Sequence, residues 1–255
     1  MEDLLGKIVD NTSPKSSFQI VVSDNKTRFK TKFNPPLQLD KNKTYEIALV
    51  NLETYYSFPN ITAQNSVFRY SPDAGGNWFD INISVGSYDI EDLNDAIQQG
   101  MRKNGHYDKV NNDYYITLSA NPNTLRSILN IQPGYQVMFK HNNSLNSILG
   151  FESSVYTGYA ESEHVVNILS INSILVNIDI ISGSYVNGTA QPTIFSFFPD
   201  VSPGYKIIEN PRNLVYLPVT LDTIHHLETW LTDQDGKLLN LRGESVTVRF
   251  HLKEI

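Results

Sequence analysis

The chain has 255 residues, with 20 Lys+Arg against 27 Asp+Glu and a formal net charge of −7. A length of this order closes a sizeable core, as one large β-domain or two modest ones. With 40% hydrophobic and 18% charged residues, it lacks the profile of a disordered chain. An acidic chain without Lys/Arg clusters has no electrostatic footprint for nucleic acid, and no apolar run approaches the ~20 residues of a membrane helix.

The opening residues, Met1 to Leu5 (Met-Glu-Asp-Leu-Leu), lack the basic flank and long apolar stretch of a secretory signal. Cysteine is absent, which excludes disulfides and Cys-ligated zinc and fits folding inside a cell. Seven Asn-x-Ser/Thr sequons (Asn11, Asn25, Asn42, Asn60, Asn82, Asn142, Asn187) occur in an Asn-rich background. At that density they arise by chance, and none is read as glycosylated.

Along the chain, strands are expected at Phe18–Val22, Arg28–Phe33, Tyr45–Tyr56 and Val67–Tyr70. Ile81, Ile83 and Val85 then alternate with Asn82 and Ser84. At Asp89 the period changes: Ile90, Leu93, Ile97 and Met101 fall at helical spacing, with Asp89 as N-cap and Gly105 just past the end at Asn104. Glu91, Asp92 and Asp95 suit the early turns of that helix. Two strands follow, near Tyr114–Leu118 and Tyr135–Phe139, and then a short helix with Leu145, Ile148 and Leu149 that stops at Gly150.

The second half returns to period two. Ile174, Val176, Ile178 and Ile180 face away from Asn177 and Asp179. Further strands are expected at Ile194–Phe198, Lys206–Ile208, Leu214–Val219 and His226–Leu231. In the last, Val246, Val248, Phe250 and Leu252 alternate with Thr247, Arg249, His251 and Lys253. Turn chemistry separates the runs at Asn34-Pro35-Pro36, Gly75-Gly76, Asn187-Gly188, Pro203-Gly204 and Asp235-Gly236. The pattern predicts a mainly β protein, an antiparallel sandwich formed by residues 1–86 and 152–255. Residues 87–151 would be an inserted α+β segment read as helix–strand–strand–helix. His226–Leu231 and Val246–Leu252 would close the sandwich as a hairpin.

Motifs for chemistry are missing. His225 and His226 are adjacent on a strand, so they point to opposite faces and do not readily clasp one metal. Asp222, Glu228, Asp233 and Asp235 cluster in sequence, but not at EF-hand spacing, and Asp235-Gly236 is accounted for by a tight turn. There is no Gly-x-Ser-x-Gly elbow, Gly-x-Gly-x-x-Gly loop or phosphate-binding Gly-x-x-x-x-Gly-Lys-Ser/Thr. No catalytic, cofactor-binding or metal residue is singled out. The excess lies in aromatics, 14 Tyr and 12 Phe. Tyr55-Tyr56, Tyr114-Tyr115 and Phe195-Ser196-Phe197-Phe198-Pro199 serve either a doubly covered core or contacts between subunits.

The C-terminal third carries a resemblance. Trp230 leads to Asp233-Gln234-Asp235-Gly236, then Asn240-Leu241-Arg242-Gly243-Glu244, then the alternating strand 246–252. This block resembles the closing part of minor capsid (penton) proteins of Polinton/Maverick elements and virophage-like viruses. The stretches 86–94 (Gly-Ser-Tyr-Asp-Ile-Glu-Asp-Leu-Asn) and 144–151 (Ser-Leu-Asn-Ser-Ile-Leu-Gly-Phe) are similar to that family too. The resemblance implies a single jelly-roll β-sandwich, a non-enzymatic structural subunit that forms the pentameric vertex of an icosahedral shell. It implies a virion location and a double jelly-roll major capsid protein as partner, with no direct nucleic-acid contact and no membrane span. Two other classes fit a jelly roll: a carbohydrate- or receptor-binding module using Trp78 or Trp230 as a platform, and a cupin-type metalloenzyme, against which the His225/His226 geometry argues.

Overall fold

A computed structural model describes residues 15–168 and 171–255. The chain divides into two compact units: 1–55, 173–201 and 206–255 form the first, 56–172 and 202–205 the second. Strands β1 (Ser17–Asp24), β2 (Arg28–Gln38) and β3 (Tyr45–Tyr55) open the first unit. The second holds β4 (Val67–Ser71), β5 (Phe79–Asn82), α1 (Ile90–Lys103), β6 (Ile116–Asn121), β7 (Arg126–Ile131) and β8 (Gln136–Met138). It continues with α2 (Asn146–Leu149), β9 (Val155–Tyr156) and β10 (Tyr159–Val165). The chain then returns through β11 (Ile174–Ile178), β12 (Tyr185–Val186), β13 (Thr189–Ala190) and β14 (Thr193–Phe197). It ends with β15 (Lys206–Glu209), β16 (Leu217–Pro218), β17 (Thr223–Thr232) and β18 (Val246–Glu254).

The first unit is an antiparallel sandwich. One sheet runs β1-β18-β3-β15, with β16 also on β3; the other runs β14-β11-β17-β2. With the short β12–β13 hairpin and β16 set aside, the strands of this unit in chain order change sheets at every step except β11 to β14, as two interleaved Greek keys. That is the jelly-roll order. Period-two patterning puts one apolar row of each strand inside. Phe250 sits between Ile20 and Leu49, and Val248 between Val22 and Leu52, with Val246, Val248, Phe250 and Leu252 fully buried. The facing sheet contributes Phe29, Val176, Ile178, Leu227 and Leu231.

Three expectations change here. The strands His226–Leu231 and Val246–Leu252 do not form a hairpin with each other: β17 pairs β11 and β2, while β18 pairs β1 and β3. The Asp235-Gly236 turn exists, with Gly236 at φ 80°, but it pairs Thr232 with Leu238 before the chain crosses to the other sheet. Asn34-Pro35-Pro36 is no turn either. It lies inside β2, where the register to β17 jumps between Ile224 and His226. A bulge on an edge strand is where a strand tolerates proline. In β11, finally, the polar face is not wet: Asn177 is as buried as its apolar neighbours.

In the second unit the sheets β5-β4-β8-β9 and β10-β7-β6 share one apolar core with α1 and α2. α1 begins with a capping box: Asp89 accepts from the Asp92 amide and Asp92 reaches back to the Asp89 amide. Its Ile90, Leu93, Ile97 and Met101 are buried. α2 ends at Gly150, whose φ of 78° and close approach to the His164 carbonyl leave no room for a Cβ. The expected 87–151 insertion falls inside this unit, which is wider. Its core also takes Ile61, Phe68, Tyr70, Ile81 and Ile83, because β4 pairs with β5 and β8. The insertion holds three strands between its helices, β7 being the additional one.

Candidate interaction surfaces

The outward face of the β1-β18-β3-β15 sheet follows from the same alternation that fills the core. Register sets Val21 beside Arg249 and Arg249 beside Asn51, then Glu53 beside Ile208 and Tyr55 beside Lys206. Val21, Tyr55 and Ile208 are exposed apolar side chains on this otherwise polar face. Lys206 donates to Glu53 and holds that carboxyl below its usual range. A second cluster sits around β18: His251 contacts Tyr216 Oη through Nδ1 and Ser17 Oγ through Nε2, both at 2.7 Å. Lys253 Nζ lies 3.8 Å from the centre of the Tyr216 ring. Nothing in the spacing of these residues announces this network, which joins the start of β1 to the segment before β16.

On the outward face of the other sheet, Arg28 lies 4.9 Å over the Trp230 ring and donates to Glu228 at 2.7 Å. Trp230 is therefore covered, not presented as an open platform. His226 approaches Asp179 at 3.5 Å, and His225 beside it is exposed. The sequence cluster of acids is dispersed by use. Glu228 pairs with Arg28, and Asp233 accepts the amides of Asp235 and Lys237 in the turn. The Asp222 carbonyl takes the Leu39 amide. Among the described residues no three His, Asp or Glu side chains gather as metal ligands.

Most aromatics of the second unit line its own core. Tyr115 stacks on Tyr135 with centroids 4.7 Å apart, and Phe139 on Phe151 at 5.1 Å. Buried Tyr70 bonds His106 and Asn104, and Arg102 holds Tyr114. Burial first, then its bond to Glu163, pushes the Tyr156 hydroxyl up to about 12. Asp73 lies at about 2, because the Asn77 amide, then its side chain, then Ser71 donate to the carboxylate. Trp78 is half-buried. A polar hollow of about 370 Å³ between α1 and β5 is lined by Asp80, Asn82, Gln99 and Lys103. In the first unit Phe197 is buried against Phe195, while Phe198 is exposed.

No protein-family model matches the sequence, and no curated protein matches it. The D2–D3 domains of the flagellar cap protein FliD from Escherichia coli align over 86% of this chain and 100% of theirs at 12% identity, but their TM-score of 0.20 is no likeness of fold. The penton protein of mavirus is different. It aligns over 95% of this chain and 100% of its own at 11% identity, with a TM-score of 0.50. The chain thus shares the fold of that penton protein, and its own sheets have the jelly-roll order.

Proposed function

We propose that this protein is a structural subunit of an icosahedral virus-like shell, the penton that closes its five-fold vertices. The observation that carries the reading is the jelly-roll order of the first unit together with the penton fold across nearly the whole chain. Five copies would close through heterologous contacts, one patch of each subunit meeting a different patch of the next. The outward face bearing Val21, Tyr55 and Ile208 is suited to one side of such a contact, since apolar and aromatic side chains enrich interface cores. The partner around the vertex would be a double jelly-roll major capsid protein. In this role the chain catalyses nothing, binds no cofactor, and resides in the virion after synthesis inside the host cell.

Native mass spectrometry of the purified protein, alone and mixed with a double jelly-roll capsid protein of a Polinton-type element, tests the reading. A pentamer in either sample is expected. A monomer that stays monomeric with the capsid protein present overturns it.

A further inference from the structure

Three dipeptides of the chain have the make-up that cyclises on itself: Asn104-Gly105, Asn187-Gly188 and Asp235-Gly236. In each, the glycine nitrogen can attack the preceding side-chain carbonyl carbon, and glycine has no side chain to obstruct the approach. The nitrogen must first lose its proton, so a hydrogen bond from that N–H withholds it. The structure separates the three on this point. The Gly105 amide donates to the Arg102 carbonyl at 3.0 Å, and the Gly236 amide to the Asp233 carbonyl at 3.1 Å. The Gly188 amide makes no hydrogen bond among the described residues.

The two asparagine side chains differ in the same direction. Asn104 closes α1, and its Nδ2 donates at 3.0 Å to the hydroxyl of fully buried Tyr70. Turning that amide onto Gly105 breaks the bond. Asn187 is exposed and has a φ of 51°, and among the described residues its side chain makes no hydrogen bond. It stands at the tip of the β12–β13 hairpin. Only the pairs Tyr185–Ala190 and Val186–Thr189 and the Gln191 amide on the Ser184 carbonyl hold this hairpin. A two-stranded ribbon this short is marginal, so its tip opens at small cost and lets Asn187 Cγ swing onto the Gly188 nitrogen.

We infer that Asn187 is a site of self-modification, converting to isoaspartate and aspartate in the folded protein while Asn104 persists. The Gly188 nitrogen, deprotonated by solvent hydroxide, bonds to Asn187 Cγ. The Cγ–Nδ2 bond breaks, and that nitrogen leaves as ammonia with a proton from water. A second water then opens the five-membered imide at either carbonyl, giving aspartate or isoaspartate. Both place a carboxylate on the wall of a groove of about 670 Å³ beside β14, where Asn187 stands with Tyr185, Ile194, Phe195 and Val215. Isoaspartate also reroutes the main chain through the side-chain carbon, which a two-residue turn does not accommodate with its pairing intact. The inference does not depend on the penton reading.

The test holds the folded, full-length protein at mildly alkaline pH and follows each site by peptide mapping over time. Asn187 should lose its amide about tenfold faster than Asn104. In guanidinium chloride, where neither the hairpin nor the Asn104–Tyr70 bond exists, the two rates should converge. Anion exchange of the folded protein should show a growing acidic species, absent from Asn187→Gln. An Asn187 that stays intact when folded, equal loss at both sites, a rate ratio unchanged by denaturant, or an acidic species that persists in Asn187→Gln each overturns the proposal.

Discussion

The Thr193 hydroxyl donates to Asn177 Oδ1 at 2.7 Å, and both residues are buried. The bond spans β14 and β11 where their register slips between Val176 and Asn177. Asn177 Nδ2 also donates to the Leu175 carbonyl at 3.2 Å, so this polar pair is held on both sides. Asn177→Leu would leave the Thr193 hydroxyl buried without its acceptor, a loss of about 1–3 kcal/mol. Chemical denaturation should show a lower midpoint with the slope unchanged. A variant as stable as the parent would mean that the bond contributes nothing.

The second prediction separates fold from surface on one strand. Phe250 is fully buried between Ile20 and Leu49, whereas its neighbour Arg249 is exposed. Truncating Phe250 to Ala removes that packing and leaves a cavity, at a cost of about 3–5 kcal/mol. Arg249→Ala should shift the isolated subunit by no more than about 0.5 kcal/mol. Thermal melts of the two proteins decide this. The opposite ranking would place β18 in the wrong register.

Those two neighbours also show what the sequence makes legible. The strict alternation of Val246, Val248, Phe250 and Leu252 reads directly as one buried row, and the structure buries all four. The Asp89 cap with Ile90, Leu93, Ile97 and Met101 is read as easily, because helix start and helix face both depend on residues within a few turns. What stays hidden is pairing between distant segments. Alternation identifies β17 and β18 as strands but does not say that they belong to opposite sheets. The same limit hides the extent of the second unit: β4 and β5 read as sandwich strands until β8, more than fifty residues on, is seen beside Ser71. Pro35 and Pro36 signal a turn locally, and only the bulge against β17 lets the strand run through them. The His251–Tyr216–Ser17 relay has no sequence signature, since its three members come from three separate segments.

A pH effect follows from Asp73. Its carboxyl lies at about 2, below the ordinary 3.8, because Asn77 and Ser71 donate to the charged form. The unfolded chain therefore binds this proton first as pH falls, and the stabilisation present above pH 4 disappears as pH drops through about 2. The melting temperature should fall over this interval, and by less in Asp73→Asn, which has no proton to take up there. Parallel pH profiles for the two proteins would remove Asp73 from the account.

The last prediction concerns a hydroxyl with no partner. Thr229 is completely buried on the inner face of β17, opposite Phe29 and Ile178, and its Oγ1 has no hydrogen bond. A buried hydroxyl in that position loses its water without compensation, a penalty of about 1–3 kcal/mol. Valine has nearly the same shape and a β-branched side chain that suits a strand. Thr229→Val should therefore raise the stability of the sandwich by about 1 kcal/mol, a gain against the usual trend of core substitutions. Thr193→Val is the matched control on the same sheet, because there the hydroxyl is bonded and its removal strands Asn177 Oδ1. The two changes are chemically identical and should move the denaturation midpoint in opposite directions. If Thr229→Val destabilises as Thr193→Val does, the Thr229 hydroxyl has a partner in solution and the unsatisfied geometry at the centre of this sheet is wrong.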